Sequence, residues 1–170
     1  QLIQRLEAEP GEALPGPRLM MTGGACDDLR VFDLIDQLHY GTNLVFIDSC
    51  PAARYFWYDV PEDRADKLEA IAEGSISRIP CPAKDTVPGT GEKKRVGFIQ
   101  QFIQDFKPDG VILVYQRFCS PQAMDILAVK PVLDMLGIPW TELELDTTVP
   151  ITQFGTQLEA LVEIIRRVEP

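Results

Sequence analysis

Three cysteines close runs of residues that read as buried strands, and thiols so placed can do soft-metal chemistry. Cys26 ends a Gly-rich turn after Arg18-Leu-Met-Met-Thr-Gly23, Cys50 ends Asn43-Leu-Val-Phe-Ile-Asp-Ser, and Cys119 follows Gly110-Val-Ile-Leu-Val-Tyr-Gln-Arg-Phe. In an open parallel sheet, side chains just past the carboxyl ends of the strands line the crevice where ligands bind. Neighbouring strands lie ~4.8 Å apart, so three adjacent strand ends span only ~10 Å. One cluster site is therefore permitted. The competing reading is plain packing, because cysteine is among the most buried residue types and serves as a small apolar filler. No close Cys-x-x-Cys pair, as in ferredoxins or structural zinc sites, is present.

Other candidates have simpler explanations. Cys81, bracketed as Pro80-Cys81-Pro82, sits in a Pro-rich loop whose extended backbone either presents the thiol or shapes a turn. Thr22-Gly23-Gly24-Ala25-Cys26 feeds a helix N-terminus, a geometry suited to phosphate. Asp27 and Asp28 follow at once, however, and a capping carboxylate already occupies the positive end of the dipole. The pattern also lacks the full Gly-x-Gly-x-x-Gly of a dinucleotide site. His39, the single histidine, falls near a helix end, where an imidazole commonly meets free carbonyls. Tyr55 to Tyr58 form an aromatic run expected to pack against the sheet, and Glu142, Glu144 and Asp146 alternate along a strand as a solvated edge face.

The elements that must position these groups alternate strand and helix. Residues 1–17 read as a linker or the end of a preceding element, broken by Pro10-Gly11 and Pro15-Gly16-Pro17. Strands are expected at Arg18 to Thr22, Asn43 to Ser49, Val111 to Tyr115 and Trp140 to Leu145. The second of these, a continuous apolar stretch, reads as buried on both faces. Helices are expected to open at Asp27 or Asp28, to cover Pro51 to Gly74 with a break at Pro61, and to run from Glu92 to Phe106, Pro121 to Leu136 and Gln153 to Arg167. Residues 79–91 read as a long loop. Right-handed crossovers then make residues 18–170 a single α/β domain, a doubly wound four-stranded parallel sheet of order 2-1-3-4 with helices on both faces. The switch point falls between the first and third strands, beside Gly23-Gly24 and Cys119.

Bulk properties exclude several partners. At 170 residues, 45% hydrophobic and 25% charged, the chain suits one globular domain. No apolar run approaches the ~18 residues of a membrane span. A net charge of -10 disfavours nucleic acid, which requires clustered Lys and Arg; Lys93-Lys94-Arg95 is the single short basic cluster. Four widely spaced cysteines suit a cytoplasmic protein with free or metal-bound thiols. The N-terminus has no signal-peptide pattern, and the missing initiator Met reads as a piece of a longer chain.

The wording of the last third is more specific. Lys107-Pro-Asp-Gly-Val-Ile112, Arg117-Phe-Cys-Ser-Pro121, Leu136-Gly-Ile-Pro139, Leu143-Glu-Leu-Asp146 and Gln153-x-x-Thr156-x-Leu-Glu-Ala160-x-x-Glu163 follow in order. This series resembles the 2-hydroxyacyl-CoA dehydratase and benzoyl-CoA reductase family, including 2-hydroxyglutaryl-CoA dehydratase D-components, over roughly residues 18–165. The resemblance implies the C-terminal domain of a longer subunit, in which the Phe-Cys-x-Pro cysteine, here Cys119, is one of three ligands of a 4Fe-4S cluster. The other two belong to an upstream domain. It also implies a homologous second subunit, an ATP-hydrolysing iron-sulfur activator that injects one electron, and an acyl-CoA substrate whose thioester or aromatic ring is reduced. Where the family's closing motif usually has Gly and Arg, this chain has Thr152 and Gln157. The alternative expectation is a non-catalytic docking or sensing module that keeps the fold. A flavodoxin-like or receiver domain ranks behind both, because the acidic cluster and distal Lys of a receiver are missing at the strand ends.

Overall fold

The computed structural model describes residues 2–9, 11–12, 14–39, 41–85, 89–91 and 93–168. Four strands form one sheet: β1 (Arg18–Gly23), β2 (Asn43–Asp48), β3 (Gly110–Gln116) and β4 (Trp140–Leu145). All pairings are parallel and the order is β2-β1-β3-β4, as expected. The helices are α1 (Leu2–Ala8), α2 (Leu29–Asp36), α3 (Ala53–Phe56), α4 (Lys67–Ser77), α5 (Lys94–Phe106), α6 (Ser120–Leu136) and α7 (Ile151–Val168). No helix among the described residues is long and apolar enough to cross a membrane.

Strand alternation builds two cores, one on each face of the sheet. Leu19, Met21, Ile112, Val114 and Leu143 face α2 and α7, meeting Val31, Ile35, Phe154, Leu158 and Leu161. Met20, Val111 and Leu113 face the other way, onto Ile99 and Phe102 of α5 and Ile126, Val129 and Leu133 of α6. Local chemistry starts and stops the helices. The Asp28 carboxylate accepts the Arg30 N–H at 3.0 Å at the start of α2, and Asp66 accepts from Leu68 and Glu69 at the start of α4. Gly137 ends α6 in the left-handed region at φ 68°.

Several expectations are corrected. β2 is half-buried apart from Asp48, because it lies at the sheet edge, where an apolar strand has a neighbour on one side only. The stretch from Pro51 to Gly74 is not one broken helix: α3 is a single turn, and α4 starts only at Lys67, where Asp66 caps it. The loop of residues 79–91 contains a 3₁₀ turn at Pro82–Lys84, while its Thr86 to Pro88 portion lies outside the described residues. Of the aromatic run, Trp57 packs edge-on against Phe46 and Phe102, whereas Tyr55 and Phe56 are exposed. His39 is exposed at the end of α2 beside Glu159 and Glu163.

The end of β1 approaches β3 closely. Gly23 has φ 133°, and a Cβ there would sit 2.0 Å from the Val114 carbonyl oxygen, which also accepts the Gly24 N–H at 2.7 Å. Only glycine fits. Gly23→Ala should destabilise the fold by about 3 kcal/mol or more, through clash and backbone strain together; a smaller shift in a urea unfolding curve would contradict the close approach.

Candidate functional site

Cys119 is held at the carboxyl rim of the sheet by the turn that joins β3 to α6. Its N–H donates to the Gln116 carbonyl at 3.0 Å, and its carbonyl accepts the Ala123 N–H at 3.1 Å. The side chain is half-exposed at the N-cap position of α6, and its sulfur takes part in no hydrogen bond among the described residues. Pro121 lies in the first turn, where a missing N–H costs nothing. Just before the cysteine, Phe118 is 94% exposed and adopts φ 67°, a left-handed conformation unfavourable for a bulky side chain.

Charged and polar groups frame the thiol. Cys119, Tyr115, Arg117, Phe118, Ser120, Ala123 and Glu144 line an open cleft of about 300 Å³. Arg117 donates to Glu144 at 3.0 Å and to Asp146 at 2.5 Å, so these carboxylates are ion-paired and not merely solvated, as the strand alternation had implied. Glu142 pairs with Lys130 on α6 and receives the Tyr115 hydroxyl. Burial pushes the Tyr115 hydroxyl up, and the charges of Glu142 and Glu144 add to it. Gln157 fastens α7 to β4 by donating to the Glu142 carbonyl at 3.1 Å.

The other cysteines do not join Cys119. Cys26 packs against the core on the α2/α7 face, and burial pushes its thiol up. Cys50 lies among groups on the other side: its sulfur accepts from Arg54 Nη1 at 3.2 Å and from Gln122 Nε2 of α6 at 3.3 Å. Cys81 is exposed on the Pro-rich loop. No group of three His, Cys, Asp or Glu side chains among the described residues is placed to hold a metal ion. The three-thiol cluster allowed by strand spacing is not formed within this chain.

A buried charge network next to the site was missed by sequence reasoning. Arg95, 1% exposed, donates through Nε to Asp125 of α6 at 2.7 Å and through Nη2 to Asp48 at the end of β2 at 2.8 Å. Thr22 of β1 donates to the same Asp48 oxygen at 2.8 Å, and Asp85 caps α5 by accepting the Arg95 N–H at 3.0 Å. Arg54 approaches Asp48 at 3.6 Å and, like Gln122, donates to the Gly23 carbonyl. Burial works against the Arg95 charge, but Asp48 and Asp125 outweigh it and hold the proton more tightly than usual. Burial likewise pushes Asp125 up, with Arg95 opposing. A usable signal existed: Asp48 ends an otherwise apolar strand, and an acid buried there demands a cation.

The fold and rim geometry define a doubly wound α/β domain with a half-exposed thiol at the carboxyl edge of its sheet. A family profile described as "2-hydroxyglutaryl-CoA dehydratase, D-component" matches residues 1–165. The chain belongs to that family. It is 27% identical over 168 residues to a putative dehydratase subunit, YjiM, of Escherichia coli K12, covering 95% of this chain and 41% of the relative. It is 24% identical over 166 residues to the (R)-phenyllactyl-CoA dehydratase beta subunit of Clostridium sporogenes, covering 97% of this chain and 42% of the relative. The beta subunit of (R)-2-hydroxyglutaryl-CoA dehydratase from Acidaminococcus fermentans is also 24% identical, over 165 residues, with 96% of this chain and 42% of the relative covered. The chain thus spans about two-fifths of the length of these relatives.

Arg95→Met leaves Asp125 buried without its close cation and Asp48 with only Arg54, at 3.6 Å, and should cost about 3–5 kcal/mol of stability, measured by urea unfolding. Asp125 tests the same network by pH. Its raised folded pKa means that the native state holds this proton more tightly than the unfolded chain, so the group favours the fold at low pH. That advantage is lost as pH rises from about 4 through the folded value. Asp125→Asn should flatten this decline in stability, whatever its effect on the absolute midpoint.

Proposed function

We propose that this chain is the part of a 2-hydroxyacyl-CoA dehydratase subunit that contributes Cys119 to a 4Fe-4S cluster. The observation that carries the reading is the half-exposed thiol on the sheet rim, hydrogen-bonded to nothing among the described residues, within the run Phe118-Cys119-Ser120-Pro121. Its chemistry suits iron: a thiolate is the usual ligand of iron-sulfur clusters. In this reading the remaining ligands are supplied from outside these 170 residues. Cys119 would hold one iron, and the surrounding cleft would orient the substrate and exclude water. When bound, the cluster would supply single electrons to the thioester of an acyl-CoA, which makes departure of the adjacent hydroxyl, otherwise a poor leaving group, feasible.

The curated relatives are named as dehydratase subunits, which supports a partner subunit. In the proposed assembly a homologous second subunit and an ATP-hydrolysing iron-sulfur activator complete the electron path. The chain is read as the C-terminal domain of its subunit, working in the cytoplasm.

Anaerobic reconstitution of the complete subunit with iron and sulfide tests the assignment. The wild-type protein should gain the broad visible absorption of a cluster and bind about four irons. Cys119→Ala should lose most of both while keeping its far-ultraviolet circular dichroism, and Cys50→Ala should retain them. Equal iron in wild type and Cys119→Ala would remove Cys119 from the ligand set.

A further inference from the structure

Cys50 has surroundings unlike those of the other cysteines. It follows the end of β2, and Arg54, in the single turn of α3, reaches back to place Nη1 3.2 Å from the sulfur. Gln122, in the first turn of α6, places Nε2 3.3 Å from the same sulfur. Both side chains are more than nine-tenths buried, at 4% and 2% exposure, while Cys50 itself is partly open to solvent. Neither neighbour turns an acceptor toward the sulfur. A guanidinium carries donors only, and the Gln122 amide is fixed nitrogen-first because Nε2 also donates to the Gly23 carbonyl at 3.2 Å. Cys26 instead points its thiol at an acceptor, the Asp28 carbonyl. Among the described residues, no N–H donor meets the sulfur of Cys81 or Cys119.

A thiol uses such donors poorly. Buried N–H groups require good acceptors, and thiol sulfur is a weak one. The close oxygen partner of Arg54 is the neutral Gly23 carbonyl at 3.0 Å, since its Nε stands 3.6 Å from Asp48 and makes no hydrogen bond. Gln122 Oε1 is likewise without a hydrogen-bond partner, although the residue is buried against the sulfur. Two fixed donors, one of them cationic, are complementary to an anionic oxygen carried by the sulfur. We infer that Cys50 is a peroxide-reactive thiol, a modification site at which Arg54 and Gln122 receive the oxygen added to sulfur. The sulfur attacks one oxygen of a hydroperoxide, so that an S–O bond forms as the O–O bond breaks. The sulfur loses two electrons to the peroxide and becomes a sulfenic acid. The other oxygen leaves as water or an alcohol and carries away the thiol proton. Negative charge that develops on oxygen during the transfer falls beside N–H groups already held in place by the Gly23 carbonyl. None of this rests on the role proposed for Cys119.

Competition among the cysteines of the complete subunit tests the inference. The protein is exposed briefly to an equimolar amount of hydrogen peroxide, quenched with catalase and unfolded in urea containing dimedone, and the sulfenic acid adducts are located by peptide mass mapping. Cys50 should acquire dimedone at least about tenfold faster than Cys81, although Cys81 is the more exposed. Gln122→Met preserves helix propensity and approximate volume but removes one donor, and should slow Cys50 about tenfold with Cys81 unchanged. A Cys50 rate equal to or below that of Cys81 in the wild-type protein overturns the inference, and that comparison needs no variant to fold. So does a wild-type rate in a Gln122→Met protein of unchanged circular dichroism. Cys119→Ala separates this site from the iron reading. Cys50 should be oxidised at the wild-type rate in that variant whether or not iron is lost. A Cys50 rate that falls with Cys119→Ala would mean that bound iron supplies the oxidant, and would overturn the assignment to Arg54 and Gln122.

Discussion

The arrangement of this domain depends on one guanidinium enclosed by carboxylates. Arg95 lies beneath the carboxyl end of the sheet, touching Asp48 from β2 and Asp125 from α6, while Asp85 holds the start of its own helix. Asp48 and Asp125 sit on different segments, so one guanidinium ties β2 to α5 and α6, while the Arg95 N–H ties the loop of Asp85 to α5. Buried ions are expensive to desolvate, and their mutual attraction repays the cost only when geometry and hydrogen bonds are good. Here the partners are within 2.7 and 2.8 Å. What these contacts join is the seat of α6, the helix that opens at Cys119, to α5 and the end of β2.

The consequences run along short links. Gln122, one turn beyond Cys119, reaches back to the Gly23 carbonyl and to Cys50. Gln116, at the end of β3, holds the Ala25 carbonyl at 3.1 Å and accepts the Cys119 N–H. The thiol is therefore placed from two sides, by the buried charges below and by the turn above. On its solvent side the cleft is framed by Arg117, Tyr115 and Glu144.

Much of this was legible before any coordinates. The strand pattern, the 2-1-3-4 order and the ends of α6 follow from apolar runs, Pro121 and Gly137, because in doubly wound folds periodicity and turn chemistry agree. The placement of Cys119 followed from the length of β3. Other features were hidden for physical reasons. β2 has the composition of a central strand, yet lies at an edge, since composition does not say how many neighbours a strand has. Cys26, Cys50 and Cys119 look equivalent in sequence, yet Cys26 packs on the α2/α7 core while the Cys50 sulfur is held by Arg54 and Gln122, because loop direction, not strand spacing, decides where a side chain points. Arg95 was masked by Lys93 and Lys94, since a basic triplet reads as surface when only one member turns inward.

The central position of β1 imposes an order on assembly. Leu19 pairs with Leu44 on one side and with Gly110 on the other, so the strand at the heart of the sheet waits for a partner made some ninety residues later. As the polypeptide leaves the ribosome, the β1-α2-β2 unit emerges with Asp48 at its tip, and Arg54, 3.6 Å away in the finished fold, is the cation at hand until Arg95 follows. The first half of the molecule thus carries an acid whose closer salt bridge, at 2.8 Å, forms only when the second half arrives. It has little reason to settle early, and the domain is built to close in one late, cooperative step.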